Sequence, residues 1–415
     1  MSDMTSTLYD PFLRPGLTNL KMGAPDEATL KKCVRIFREA AEHRLAQADA
    51  QLLFQYGPEA GDGCFRVALA KFLSDEYRSP VKPENLFVTS GSTNGLLLLA
   101  SLMFRSGDLV FCEDPTYFMA ISILRADAGL DLVSVPTDDH GIIPEELEKC
   151  LQASHTHKSH PITPKRPFWA MLYLIPAFQN PTGSVLGRDR FQKIISLARQ
   201  YNILVVCDDV YNLLYFAGMG AGPQDRLFAF DDPKDAGYQG NVVSNGSFSK
   251  IFGPGVRLGW LEVPAHVRDT LITSGVAFSG GGQNHTSSGL MTSAISLGLL
   301  GGLLAETRRS NETKCMEACG ILRNKYPGLL SFQDPTGGYF IWIKLPNGLK
   351  AADVLKLCEE AEGLKVSFFC GNALSPTKSF EDHIRISFAF YDVSALVPAI
   401  HKLADIIHLT CTPPV

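Results

Sequence analysis

Lys250 ends the run Ser247-Phe248-Ser249-Lys250, and Arg257 follows seven residues later. Two hydroxyls and a guanidinium around one amine suit an anion site with a nucleophile inside it. Nearby cations and partial loss of water lower an amine's pKa and favour imine chemistry. A second anion element is Ser90-Gly91-Ser92-Thr93-Asn94, which follows an apolar run and opens an apolar helix. Its free backbone N–H groups lie at the positive end of the helix dipole. Between these two come Asp114-Pro115-Thr116-Tyr117, Asn180-Pro181-Thr182-Gly183 and Asp208-Asp209-Val210-Tyr211. Any one such tetrapeptide arises by chance in about 0.003 chains of this size, so a collinear set is not accidental.

The elements that must position these residues alternate from about residue 50 to 265. Strands are expected at Leu86–Thr89, Leu109–Cys112, Leu130–Val135, Trp169–Ile175, Ile203–Cys207, Val242–Asn245 and Leu258–Val263, separated by helical patterns. This predicts an α/β fold: a mostly parallel seven-stranded sheet between helices, with the motifs at strand ends, where open sheets gather ligands. From Ser287 the pattern changes to long helices through Asn324, then strands at Tyr339–Lys344, Lys365–Phe369 and Ile384–Phe388, a smaller α+β unit. The amphipathic stretch Ala28–Ala50 is expected to join it. The division is therefore 1–50 as an arm and part of the small domain, 51–285 as the large domain and 286–415 as the small C-terminal domain.

A phosphate, an imine-forming lysine and a carboxylate at a strand end together call for pyridoxal 5'-phosphate. No GxGxxG or GxxxxGK[ST] run occurs, which leaves nicotinamide and P-loop chemistry without support. The formal net charge is -5 with no basic block, so nucleic acid and anionic lipid are not expected partners. Ten cysteines are scattered without CxxC pairs, which points to a reducing, cytoplasmic setting and against a disulfide framework or zinc ribbon. The start, MSDMTSTLYDPFLRPG, has neither a secretory nor a transit pattern. Thr286–Ala305 is uncharged but carries six Ser/Thr and four Gly, so a buried helix is expected there and not a membrane span. Ala153–Pro167 and Gly218–Gly240 read as loops, with His155, His157 and His160 solvated and not ligating metal. Cys315 and Cys319, one helical turn apart, are read as ordinary packing.

NPTG and SFSK, with TSGSTNGLLLL, IPAFQNPTG, DDVYNLLYF and SFSKIFGPGVRLGW, resemble the class I/II aminotransferases of fold type I. The resemblance runs from about Leu20 to Ile407 and is nearest to the 2-aminoadipate/kynurenine and aromatic branch. It implies amino-group transfer from an L-amino acid to a 2-oxo acid by a ping-pong cycle. Carried over by motif, Lys250 would hold the cofactor as a Schiff base and move the substrate Cα proton. Asp208, preferred over Asp209 because the family pattern is Asp-x-x-Tyr, would pair with the ring nitrogen. Asn180 and Tyr211 would bond the ring oxygen, and Tyr117 would stack on the ring. Ser92, Thr93, Ser247, Ser249 and Arg257 would hold the phosphate. Arg385, in His383-Ile384-Arg385-Ile386-Ser387-Phe388, would bind the substrate carboxylate beside Asn180. Tyr56, in Gln55-Tyr56-Gly57-Pro58, would reach the neighbouring subunit's phosphate, which implies a homodimer; Asn284 would lie near that boundary. The rival of the same fold is a C-S lyase or aminocyclopropane-carboxylate synthase-like enzyme. A cofactor-sensing regulator domain is the less expected alternative, since it would need a helix-turn-helix domain ahead of the fold and fewer than 50 residues precede the large domain here.

Overall fold

The computed structural model describes residues 16–155 and 160–411. The opening stretch MSDMTSTLYDPFLRPG lies almost wholly outside them, as does His157. The chain enters through β1 (Leu17–Asn19) and a 19-residue helix, Glu27–Leu45, before the large sheet begins. Asp26 starts that helix by accepting the Thr29 amide at 2.7 Å, with Glu27 in the first turn and His43 and Arg44 in the last, as the helix dipole favours.

The large sheet contains β2 (Leu86–Thr89), β3 (Leu109–Asp114), β4 (Asp131–Asp138), β5 (Gly141–Ile142), β6 (Ala170–Leu174), β7 (Leu204–Asp208), β8 (Val242–Ser247) and β9 (Gly259–Glu262). Their order is β2-β9-β8-β7-β6-β3-β4-β5. Pairs from β4 through β3, β6, β7 and β8 are parallel, while β9 runs against both neighbours. All seven expected strands are present. The eighth, β5, turns back on β4 and is two residues long, too short for alternation to reveal. Residues of β6, β7 and β8 are buried without a break, the mark of parallel strands covered on both faces. β3, β4 and β8 extend past the expected ends into polar residues such as Asp114 and Ser247: the apolar run stops there but the ladder of hydrogen bonds does not. β3 and β6 are neighbours whose onward connections leave toward opposite edges, so a crevice forms at their carboxyl ends.

The smaller layer is an antiparallel sheet in the order β10 (Phe340–Lys344), β13 (His383–Ser387), β12 (Phe369–Cys370). β1 pairs in parallel with β11 (Lys365–Ser367), which stitches the start of the chain into this C-terminal layer. The expected strand Lys365–Phe369 is thus two short strands with separate partners. The uncharged stretch after Thr286 is divided between helices His285–Ser296 and Leu299–Asn324, bent by 81° at Gly298. Each buries apolar residues, among them Met291, Leu300 and Leu304. Val393–Cys411 is long and apolar enough to cross a membrane by length and composition. Its Leu396, Ile400, Leu403 and Ile407 are fully buried, on the side that packs against Leu299–Asn324 and Ala351–Glu360.

His155 packs edge-on against Trp169 and Tyr201, and His160 bonds Asp108 at 2.9 Å. Among the described residues no group of His, Cys, Asp or Glu could hold a metal ion. Cys315 and Cys319 lie buried with sulfurs 3.9 Å apart.

One backbone contact governs the β2–β9–β8 edge. Gly259 pairs with Thr89 on one side and Ser247 on the other, and a Cβ there would stand 2.7 Å from the Gly246 carbonyl and 2.8 Å from Gly91 Cα. Gly259→Ala must therefore spread the strand ends that carry Gly91 and Ser247. It should cost about 1–3 kcal/mol, read as an earlier urea midpoint; an unchanged midpoint contradicts the packing.

Candidate active site

The helix Ser92–Met103 begins directly after β2, and Gly91 (φ +91°) precedes it without a side-chain cap. Its first-turn amides, including those of Ser92 and Thr93, thus face the crevice end of the sheet with no capping oxygen. Arg257, itself in the left-handed region at φ +47°, bonds the Ser90 and Pro254 carbonyls at 3.1 and 3.2 Å. A Cβ on Gly91 would come within 3.0 Å of its guanidinium, so glycine keeps this recess open. Ser247 Oγ donates to Ser249 Oγ at 2.9 Å and accepts the Ser249 amide at 3.1 Å. Uncapped amides, a guanidinium and paired hydroxyls around a recess that one Cβ would fill are the donor set a phosphate needs. Both the hydroxyl and the amide of Ser249 are engaged with Ser247.

Asp208 and Asp209 part company at the end of β7. Asp209 turns to a structural cluster, accepting from Ser244 Oγ and, at 3.0 Å, from Asn212. Asp208 accepts the Tyr173 hydroxyl at 2.8 Å and faces the charge of Lys250. Burial, reinforced by Asp209, pushes its carboxyl up to about 7 against the bond from Tyr173 and the pull of Lys250. Asn245, opposite Asp208 in the ladder, reaches Asp208 at 3.4 Å and the Ser92 carbonyl at 2.9 Å, tying the carboxylate to the phosphate helix.

Lys250 lies in the turn after β8. Phe252 N bonds Phe248 O, Tyr339 Oη donates to the Lys250 carbonyl at 2.8 Å, and Cys33 Sγ donates to the Phe252 carbonyl at 3.0 Å. The Lys250 side chain is half-buried, and its ammonium is bonded to the Gly23 carbonyl. Loss of water, then the nearby Arg385 and Arg257 charges, lower it to about 8 against the attraction of Asp208. Asn180 sits in a turn that Gln179 closes by accepting both Thr182 N and Thr182 Oγ1 at 2.9 Å.

Arg385, on β13, is 2% exposed. It donates to Asn180 Oδ1 at 2.8 Å and to the Lys21 carbonyl at 2.7 Å, between the rings of Phe340 (4.0 Å) and Phe369 (4.5 Å). No carboxylate pairs with it among the described residues, and its buried Nε has no acceptor. One cavity of about 170 Å³ joins Lys250 and Arg385 with Tyr117, Asn180, Tyr211 and Phe340.

The structure thus brings most of the expected residues into one cavity and its adjoining recess. Tyr56 is the exception: it is 79% exposed, on the rim of a separate cleft of about 450 Å³ beside His285. Sequence reasoning missed Tyr173, Asn245, Gln283, which accepts from Ser90 Oγ at 2.8 Å, and the Lys21 and Gly23 carbonyls. Tyr173 had a signal: a hydroxyl inside an apolar strand needs a buried partner.

The profile of the family "Aminotransferase class I and II" matches residues 15–403. The chain belongs to the class I and II aminotransferases. It is similar to the mitochondrial kynurenine/alpha-aminoadipate aminotransferase of Rattus norvegicus, 33% identical over 337 residues, covering 78% of this chain and 73% of that one. The 2-aminoadipate transaminase of Thermus thermophilus is 28% identical over 400 residues, 94% of this chain and 90% of its own. Among solved structures, the kynurenine aminotransferase of Pyrococcus horikoshii, a complex with PMP, superposes with a TM-score of 0.83 at 26% identity, over 99% of this chain and 96% of that one. This aminotransferase is a transaminase with pyridoxal 5'-phosphate as its cofactor, and the recess at Gly91 fits that group's phosphate.

Asp208 makes the protein's stability depend on pH. Between the ordinary value near 3.8 and about 7 the unfolded chain has released a proton that the folded chain keeps, so stability falls as pH rises through that interval. In cofactor-free protein at pH 8, Asp208→Asn should melt higher than wild type, and the gain should vanish toward pH 4. A lower melting temperature at pH 8 contradicts the burial of Asp208.

Proposed function

We propose that this aminotransferase takes its amino group from L-amino acids whose side chains are uncharged and apolar or aromatic, and passes it to a 2-oxo acid. The observation that carries the reading is a buried arginine with no carboxylate bonded to it among the described residues, opening on the same cavity as Lys250, whose amine is lowered by burial. Bound pyridoxal 5'-phosphate supplies an aldehyde and an electron-withdrawing ring that make the Cα proton of an amino acid removable. Lys250 attaches the cofactor and later, as a free amine, takes and returns the Cα proton; an amine lowered toward neutrality suits both tasks. Asp208 would keep the ring nitrogen protonated. Tyr211 and Asn180 would hydrogen-bond the ring oxygen, and Tyr117 would cover the ring. Ser92, Thr93, Ser247, Ser249 and Arg257 would hold the phosphate. Arg385 grips the substrate carboxylate with a planar fork that an ammonium cannot copy, aided by Asn180.

The preference for an uncharged side chain follows from what surrounds that grip. Met22, Phe118 and Phe340 line the cavity, and Lys250 and Arg385 already have tasks. The remaining cation, Lys21, points its ammonium to Glu359 at 3.7 Å. The relatives named above act on kynurenine and 2-aminoadipate; this lining suits the former. We divide the chain into the parts 1–50, 51–285 and 286–415, the first and last forming one small domain through β1 and β11. Ten free cysteines suit a reducing, cytoplasmic setting.

Leu52, Phe54, Tyr56, Val276 and Phe278 are exposed. Their segments touch, since His285 bonds the Leu52 carbonyl and Gly281 lies against Gly57. This apolar face supports a homodimer in which Tyr56 reaches the neighbour's phosphate recess, with Asn284 at the boundary.

Purified enzyme given L-phenylalanine or L-kynurenine alone should convert its cofactor once to the amine form, and a 2-oxo acid should restore the aldehyde. L-2-aminoadipate should react at least about tenfold more slowly. Preference for 2-aminoadipate overturns the side-chain reading; continuous ammonia release without oxo acid overturns amino-group transfer. For the dimer, a mixture of inactive Tyr56→Ala and Lys250→Ala subunits should regain activity after exchange, because each hybrid holds one intact site. No recovery after confirmed exchange argues against sharing.

A further inference from the structure

Residues 20–26 form a strap over the cavity, which Lys21, Met22, Gly23 and Ala24 help to line. At its start Leu20 is stitched between two strands: its amide bonds Ser367 O, and its carbonyl accepts Ser387 N, both at 2.7 Å. Its two middle carbonyls accept from the two cations of the site, Lys21 O from Arg385 at 2.7 Å and Gly23 O from Lys250. Gly23 is pressed on the ring that stacks over Arg385, since a Cβ there would meet Phe340 Cζ at 2.6 Å.

The far end is held by an ion pair. Asp26 Oδ2 accepts from Lys314 Nζ at 2.6 Å while Oδ1 caps the helix at Thr29; the two side chains are 9% and 3% exposed. Lys314 also donates to the Ala389 carbonyl at 2.9 Å, two residues beyond the end of β13, the strand that carries Arg385. One buried ammonium therefore joins the strap to the substrate-binding strand. Burial opposes the charge on Asp26, yet the bonds from Lys314 and Thr29 prevail and hold its carboxyl below the usual range. A buried pair of this kind is a poor source of net stability, because apolar replacements of equal size are often as stable. What it supplies is direction.

We propose that Asp26 and Lys314 are positioning residues, a buried clamp that holds the strap so that the Lys21 and Gly23 carbonyls aim Arg385 and Lys250. This rests on the assignment of Arg385 and Lys250 above.

The test is the double variant Asp26→Asn with Lys314→Met, which removes both charges together and keeps a helix-capping oxygen. In cofactor-free protein, amide exchange over residues 18–26 should quicken about tenfold while β6 and β7 stay protected, and in the loaded enzyme the amino-acid KM should rise about tenfold with a smaller change in kcat. Gly23→Ala displaces the same strap from its middle and should give the same pair of changes, which keeps the test available if the double variant does not fold. Unchanged exchange in 18–26, or a uniform rise that includes β6 and β7, overturns the clamp. A loosened strap with unchanged KM overturns its positioning role. Arg385→Lys is the control on the underlying assignment: if it too leaves KM unmoved, the carboxylate reading fails, and if it raises KM, only the clamp does.

Discussion

Two cations, Lys250 and Arg385, share one small cavity with no carboxylate bonded to either among the described residues. Bringing charge out of water is costly unless donors find acceptors and nearby groups offset the charge. Much of the architecture meets that requirement without neutralising it. Backbone carbonyls of residues 21 and 23 accept from the two cations, and Phe340 and Phe369 present ring faces to the guanidinium. Neutral acceptors and aromatic faces stabilise a cation but leave its charge available. A full ion pair would have spent that charge inside the protein, and an incoming carboxylate would have had to displace it.

The same logic separates the two aspartates at the end of β7. Asp209 is consumed by Ser244 and Asn212, whereas Asp208 keeps a single strong donor, Tyr173, and a longer contact from Asn245. A buried carboxylate so sparsely bonded is held above its ordinary range, because little offsets its loss of water. Glu113, deeper in β3, shows the structural counterpart. Burial pushes it up to about 8, against bonds from the Ile175 amide at 2.9 Å and Gln179 at 3.3 Å. Gln179 in turn donates to the Pro115 carbonyl at 2.8 Å. The loops that carry Tyr117 and Asn180 are thereby braced against each other from beneath, outside the cavity.

The large sheet was legible because its central strands β6 and β7 are buried on both faces and read as apolar runs, and the flanking strands keep short apolar stretches between turn residues. What escaped was short or polar: β5, and the polar ends of β3, β4 and β8, where hydrogen bonding continues after hydrophobicity stops. The motif residues were legible for a related reason. A phosphate recess and a reactive amine need particular side chains at strand ends, so Ser92, Lys250 and Arg257 carry that chemistry in their types and spacing, whereas Asn180 and Asp208 were singled out by the family resemblance.

The sequence by itself therefore determined the α/β class, the cofactor and most of the side chains that gather around one cavity, since these depend on local patterns and on the identity of side chains. Only the tertiary structure showed why Asp208, preferred on resemblance alone, is the one left free: Asp209 is taken up by Ser244 and Asn212, while Tyr173 supports Asp208. It alone showed that Arg385 lies between two rings with no carboxylate bonded to it among the described residues, and that backbone oxygens of an N-terminal strap reach both cations. The physical reason is that backbone carbonyls are identical at every position and leave no mark in composition. Their direction is set by contacts between residues as far apart as Asp26 and Lys314, or Leu20 and Ser387, which exist only once the chain is folded.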